Sequence, residues 1–309
     1  MFFADLVGHE PAVRLLEGQI EKGRLAHSYL FSGPEGIGKR MLATEFARAT
    51  GCEEHDLLMV MPDPEKGEIL IEQIRAMEAW MSLTPYGGIA KAVILDPAEN
   101  LTEESTHACL KILEEPPARS LFLLISTAEH RLPATLLSRC HKIRCSPQGI
   151  ERTAAALQKE GLDPAAARML AISSGGRLGM ALQFHRTGRL TKRNAALDQI
   201  LGARKRKDLE SPFPPKTSRE EIEEYVEWYA SWCRDLLVLS VGGDPSWVIH
   251  QDRLEELKKI VVARSAAMKQ PLGDLPAIFA QVDRAYRVQD AVRKNALVKT
   301  AVSVLLSSG

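Results

Sequence analysis

The stretch Gly33-Pro34-Glu35-Gly36-Ile37-Gly38-Lys39-Arg40 constrains this chain more than any other. It joins Ser28 to Ser32, an apolar run that reads as a buried strand, to Lys39 through Ala49, which reads as a helix. A glycine-rich turn in that setting lets backbone N–H groups converge on a phosphate. The helix N-terminus adds positive potential, and a lysine reaches the outer phosphates. Gly33, Gly36, Gly38 and Lys39 are therefore the candidate phosphate-cradling residues. The pattern GxxxxGK is met, but the following position is Arg40. A Ser or Thr hydroxyl there would bind magnesium, whereas a guanidinium has no acceptor for a cation.

Around this turn the first ~145 residues alternate apolar strands with helical stretches. Leu57 to Val60, Ala92 to Asp96 and Leu121 to Ser126 read as strands. Helices are expected from about Ile69 to Ser82 and from Thr102 to Glu115. Thr102 reads as an N-cap, followed by Glu103 and Glu104 in the first turn, where the helix dipole favours negative charge. Pro116-Pro117 stops that helix, because the residue before proline avoids the helical region. Continuous apolar strands separated by helices imply a parallel sheet covered on both faces. From about Ser146 only helices are expected. Ala203 to Thr217 is basic, then proline-rich, and reads as a linker. Beyond it Ile222, Tyr225, Tyr229, Trp232 and Leu236 recur at helical spacing, in a helix ending at Gly242-Gly243. Further helices are expected around 252–268, 275–293 and 295–306. The expected domains are 1–147, 148–207 and 208–309.

Asp96, at the end of a buried strand, can hold magnesium through water. The next position, where a Glu would polarise an attacking water, is Pro97. Losing a general base costs about 10²–10⁴-fold in rate. Glu99 is the alternative carboxylate, displaced along the chain. Thr127, just past a strand, is placed to sense a γ-phosphate, though a strand-terminal Thr is as often a turn residue. The Ser138-Arg139-Cys140 triplet follows eleven residues on.

These motifs, with Ala108-Cys109-Leu110-Lys111-Ile112-Leu113-Glu114-Glu115-Pro116-Pro117 and Leu136-Leu137-Ser138-Arg139-Cys140, resemble bacterial DNA polymerase III clamp-loader subunits of the AAA+ superfamily. The two damaged positions point to the non-hydrolysing, delta-prime type. Gly8-His9-Glu10-Pro11, Arg24 to Phe31 and the Asn295-Ala-Leu ending are similar to family members too, so the resemblance covers nearly the whole chain. It implies an AAA+ P-loop α/β domain, a small helical lid and a C-terminal helical collar that joins five subunits. It implies that Arg139 is an arginine finger projecting into a neighbour's ATP site, and that Arg177 is the second sensor arginine, contacting nucleotide bound in cis. The implied partners are the other clamp-loader subunits in a hetero-pentamer, the sliding clamp and, through the complex, primer-template DNA. The collar tryptophans Trp228, Trp232 and Trp247 read as helical core, some of them at interfaces. ATP or ADP binding stays open at so degenerate a site.

Forty Lys and Arg balance forty Asp and Glu, so no global cationic field advertises nucleic acid, and a stand-alone DNA-binding module is disfavoured. An ATP-hydrolysing motor subunit or another P-loop ATPase is the alternative that Arg40 and Pro97 argue against. No run approaches the ~18 apolar residues of a membrane span, and the start lacks a basic n-region, so a cytoplasmic protein with no membrane partner is expected. The five cysteines are scattered and none forms a CxxC pair, which argues against disulfides. Many relatives carry a four-cysteine zinc module after the first helix. Here Gly51 to Asp56 keeps only Cys52 and His55, too few ligands for zinc. Elemental analysis of chelator-washed protein should accordingly find no stoichiometric zinc; one zinc per chain would overturn this expectation.

Overall fold

A computed structural model describes residue 3 and residues 6–206, 217–268 and 275–293. The helix expected over 295–306 and most of the expected linker lie outside the described residues. The chain divides into two compact units, Met1–Ala156 with Gly175–Met180, and Leu157–Ser174 with Ala181–Gly309.

The first unit runs α1 (Glu10–Glu21), β1 (Ser28–Ser32), α2 (Lys39–Ala49), β2 (Leu57–Val60), α3 (Ile71–Met81), β3 (Lys91–Leu95), α4 (Glu103–Glu114), β4 (Ser120–Ser126), α5 (Ala134–Leu137) and β5 (His141–Arg144). The strands are ordered β2-β3-β4-β1-β5 and pair in parallel throughout. Parallel strands need crossovers, which place helices on both faces and explain why β1 and β3 are buried at every residue. Side chains alternate between faces. Tyr29, Phe31, Ala92, Ile94, Leu123 and Ile125 pack with Leu16, Leu42 and Phe46. Leu30, Val93, Leu95, Phe122 and Leu124 pack with Ile74, Met77 and Leu113 on the other face.

Local signals set the helix ends. Thr102 Oγ1 accepts the Ser105 N–H at 3.2 Å, capping α4, and α4 gives way at Glu115 before the two prolines. Strand β5 was not expected. Of its four residues only Ile143 is buried, because β5 lies at the sheet edge and lacks the apolar run that marked the central strands.

Helices α6 (Ile150–Lys159), α7 (Pro164–Ser173), α8 (Leu178–Arg186), α9 (Arg189–Arg206), α10 (Arg219–Ser240), α11 (Leu254–Met268) and α12 (Leu275–Arg293) complete the described chain. Because α9 continues through Arg206, the basic stretch from Ala203 is helix where a linker was expected. Ser218 and Glu221 form a reciprocal capping box at the start of α10. The core of the second unit gathers Leu197, Ile200, Val226, Tyr229, Trp232, Leu236 and Leu257. Trp228 and Trp232 are buried, whereas Trp247 is 64% exposed. The architecture is thus a parallel α/β sheet followed by helices. Among the described residues no helix is long and apolar enough to cross a membrane.

Phe46 is fully buried against Tyr29 and Phe31 at ring separations of 4.8 and 6.3 Å. Phe46→Ala should lower the stability of the first unit by about 3–5 kcal/mol. Met41→Ala, on the exposed side of the same helix, should change it by less than about 0.5 kcal/mol. Amide hydrogen exchange of the sheet checks both.

Candidate functional site

The glycine-rich turn leaves the carboxyl end of β1, where ligands bind in open α/β sheets. Gly33, Gly36 and Gly38 all have positive φ, at 154°, 74° and 96°. Two of them are also sterically required. A Cβ on Gly33 would stand 2.2 Å from the Cys145 carbonyl oxygen, and one on Gly36 would stand 2.7 Å from Met180 Cβ.

The chain itself takes up the carbonyls of this loop. Lys39 Nζ donates to Gly33 O and Pro34 O, each at 2.7 Å. The Met180 N–H donates to Gly36 O at 3.0 Å. His9 Nε2 donates to Ile37 O at 2.7 Å, the carbonyl having no proton to give. Lys39 is 5% exposed. Burial pushes its ammonium below its ordinary pKa, while Cys145 and the carboxylates of Asp96, Glu99 and Glu35 pull the other way.

Beside it, Arg40 Nε donates to Asp96 Oδ2 at 2.6 Å. The guanidinium therefore stands against the carboxylate that would hold a divalent cation. It also replaces the hydroxyl that would share that cation. With Pro97 next in the chain, this donor set does not fit magnesium. Glu99 does not stand free as a base either. Its Oε1 accepts both the N–H of Thr127, at 2.9 Å, and the Thr127 hydroxyl, at 2.5 Å. Burial raises the Glu99 pKa, but the hydrogen bonds from Thr127 and Ser126 outweigh it and hold the carboxyl below its ordinary value.

The structure brings together Gly33, Gly36, Gly38, Lys39, Arg40, Asp96, Glu99 and Thr127. Arg177 is half-buried in the segment Gly175–Met180 that meets the loop at Gly36. Arg139 is elsewhere. It lies between α5 and β5, where Ser28 Oγ, at the first residue of β1, donates to its carbonyl oxygen at 2.6 Å. The turn leaves the other end of β1. A five-residue strand at about 3.3 Å per residue separates them by about 16 Å. Arg139 and Lys39 thus occupy opposite edges of one sheet. Arg139 Nη1 donates to Thr135 O at 2.8 Å, and Nη2 donates to Glu114 Oε1.

Two of these contributors carried no role in the sequence. His9 sat in a motif but with no function attached, since its partner is 28 residues away. Glu114 was one acid in the Glu-Glu-Pro-Pro helix end, and only the fold shows that it meets Arg139. Cys52 lies in the stretch that lacks the zinc module. Its Sγ donates to Asp56 O at 3.1 Å, and burial pushes the thiol up to about 11.

Residues 8–58 and 52–149 match the family model described as DNA polymerase III, delta subunit. DNA polymerase III subunit delta' of Pseudomonas aeruginosa is 29% identical over 261 residues, 76% of this chain and 78% of that one. Subunit delta' of Bacillus subtilis is 27% identical over 276 residues, 80% and 82% of the two chains. Subunit tau of Escherichia coli is 31% identical over 208 residues, 59% of this chain but only 32% of tau. Among solved structures, a DNA polymerase III gamma subunit-related protein of Thermotoga maritima superposes with a TM-score of 0.45 at 17% identity, covering 94% of this chain and 97% of that one. The RuvB Holliday junction branch migration motor of the same organism gives 0.46 at 18% identity, covering 84% and 88%.

The depressed Glu99 carboxyl has a consequence for stability. A folded pKa below the unfolded value adds stability that is present above the ordinary carboxylate range and is lost as pH falls through the folded value. Glu99→Gln should therefore be less stable than the parent at neutral pH, and the gap should narrow as pH falls below about 4. Denaturant titrations across that range check it; a gap that persists undiminished in acid would overturn the assignment.

Proposed function

We propose, from its likeness to DNA polymerase III delta and delta' subunits, that this chain is a delta-prime-type clamp-loader subunit, a non-hydrolysing one that completes a neighbour's ATP site. The observation that carries this reading is the Arg40–Asp96 ion pair. A positive side chain already neutralises the one strand-end carboxylate available for magnesium, and Pro97 supplies no base. The loop is kept for its shape, with its carbonyls held by Lys39, His9 and Met180.

The position of Arg139 supports action in trans. Lying across the sheet from its own glycine-rich turn, it is out of reach of any phosphate held there. Donated to a neighbouring subunit, its guanidinium would stabilise charge on a transferring γ-phosphate. Such a group is worth about 10³–10⁵ in turnover. The proposed partners are the other subunits of the hetero-pentamer, the sliding clamp, and primer-template DNA through the complex. The proposed division is an α/β domain to residue 147, a lid to 207 and a collar from 208. Arg177 and Thr127 keep the places of nucleotide sensors, and a bound ATP or ADP would be held without turnover.

Two measurements test this. The isolated chain should show no ATP turnover approaching the ~1 s⁻¹ of slow working enzymes. In the reconstituted complex, Arg139→Ala should abolish hydrolysis at one site, by about 10³-fold or more there, while folding and assembly persist. Lys39→Ala should change the complex's ATPase little. If Lys39→Ala proved the more damaging variant in complexes that still assemble with an unchanged melting temperature, the subunit would be a working ATPase.

A further inference from the structure

Glu114 is the last residue of α4, where a negative charge opposes the dipole of the helix. The same helix opens with Glu103 and Glu104, acids at the end where they are favourable. An acid at the unfavourable end needs a cation, and Arg139 Nη2 supplies it. Consecutive residues at the entry to β1 fix both partners. His27 Nε2 donates to Leu113 O at 3.1 Å, tying down the end of α4. Ser28 Oγ donates to the Arg139 carbonyl. The guanidinium is thereby held at three places: through its own main chain, at Nη1 by Thr135 O, and at Nη2 by Glu114. Its side chain remains 33% exposed. Among the described residues Nε and the second Nη2 hydrogen have no partner, which leaves N–H groups for an incoming anion.

We propose that Glu114 is a positioning residue for Arg139: it fixes the guanidinium in the pose in which it meets the neighbouring subunit's phosphate. The inference rests on the reading of Arg139 as a group donated in trans. A flexible arginine would have to be ordered at each encounter, and a pre-held one is not. A stability role alone accounts poorly for the pair, because half-exposed ion pairs add little.

The test uses the reconstituted complex with Glu114→Ala, Glu114→Gln, Arg139→Ala and the double variant, with melting temperature and assembly as controls. Glu114→Ala should lower the kcat contributed by the Arg139-dependent site about tenfold with KM for ATP unchanged, since a misplacement of about 1 Å can cost 10²-fold. Glu114→Gln, which keeps an acceptor oxygen, should recover most of it. The double variant should be no worse than Arg139→Ala, because Glu114 acts only through Arg139. Should Glu114→Ala fail to assemble, Glu114→Asp carries the test, since it retracts the carboxylate by one methylene and should show the same loss. Normal kcat in the Glu114 variants beside an impaired Arg139→Ala overturns the positioning role and leaves the reading of Arg139 intact. Normal kcat in Arg139→Ala overturns both. A further loss from Glu114→Ala in the Arg139→Ala background also overturns the positioning role.

Discussion

Lys39 is 5% exposed, and a buried cation must be satisfied by something. Here the glycine-rich turn does it with two of its own carbonyls, Gly33 O and Pro34 O. That bond fixes the path of the turn, and the path fixes much else. Gly33 must pass within contact of the Cys145 carbonyl, while its N–H reaches Ser126 O at the end of β4. Strands β1, β4 and β5 therefore end together around the turn. A side chain on Gly33 or Gly36 would force apart elements that the lysine draws in. The carboxyl edge of the sheet is consequently tied together by contacts of the chain itself.

Within that edge the charged side chains meet other groups of the chain. Arg40 lies against Asp96, and Glu99 accepts from Thr127 twice. Phosphate chemistry would use the same carboxylates differently, one holding a divalent cation and another polarising water. Replacing a hydroxyl by a guanidinium adds a charge where the cation would sit. The Arg40 side chain is 49% exposed, so the pair adds little to stability. Its weight lies in occupancy, because a cation must now displace a tethered, permanently charged group.

How much of this could be read from the residues alone follows from the range of each interaction. The turn, α2 and the central strands were legible because their signals are local: glycines at fixed spacing, a helix cap, runs of apolar residues. Strand β5 was not, since an edge strand with one buried residue carries no apolar run. The continuation of α9 through Arg206 was missed because a basic, polar stretch resembles a linker in composition. Within the site, Arg40 and Pro97 were visible as departures from a pattern. The bond from Arg40 to Asp96 was not, because it spans 56 residues. The Glu114–Arg139 pair spans 25, and nothing in either segment names the other.

The two edges of the sheet place opposite demands on one domain, and parallel topology lets both be met. All strands point the same way, so everything that follows a strand gathers at one edge and everything that precedes one gathers at the other. Lys39, Asp96 and Thr127 follow β1, β3 and β4; Arg139 precedes β5 and is fastened at the start of β1. Arg40 and Pro97 stand at the carboxyl edge and Arg139 at the amino edge, with a strand of five residues between them. A change at one edge of a sheet of this topology therefore need not disturb the other, since Arg40 and Arg139 share a sheet but no hydrogen bond or ion pair.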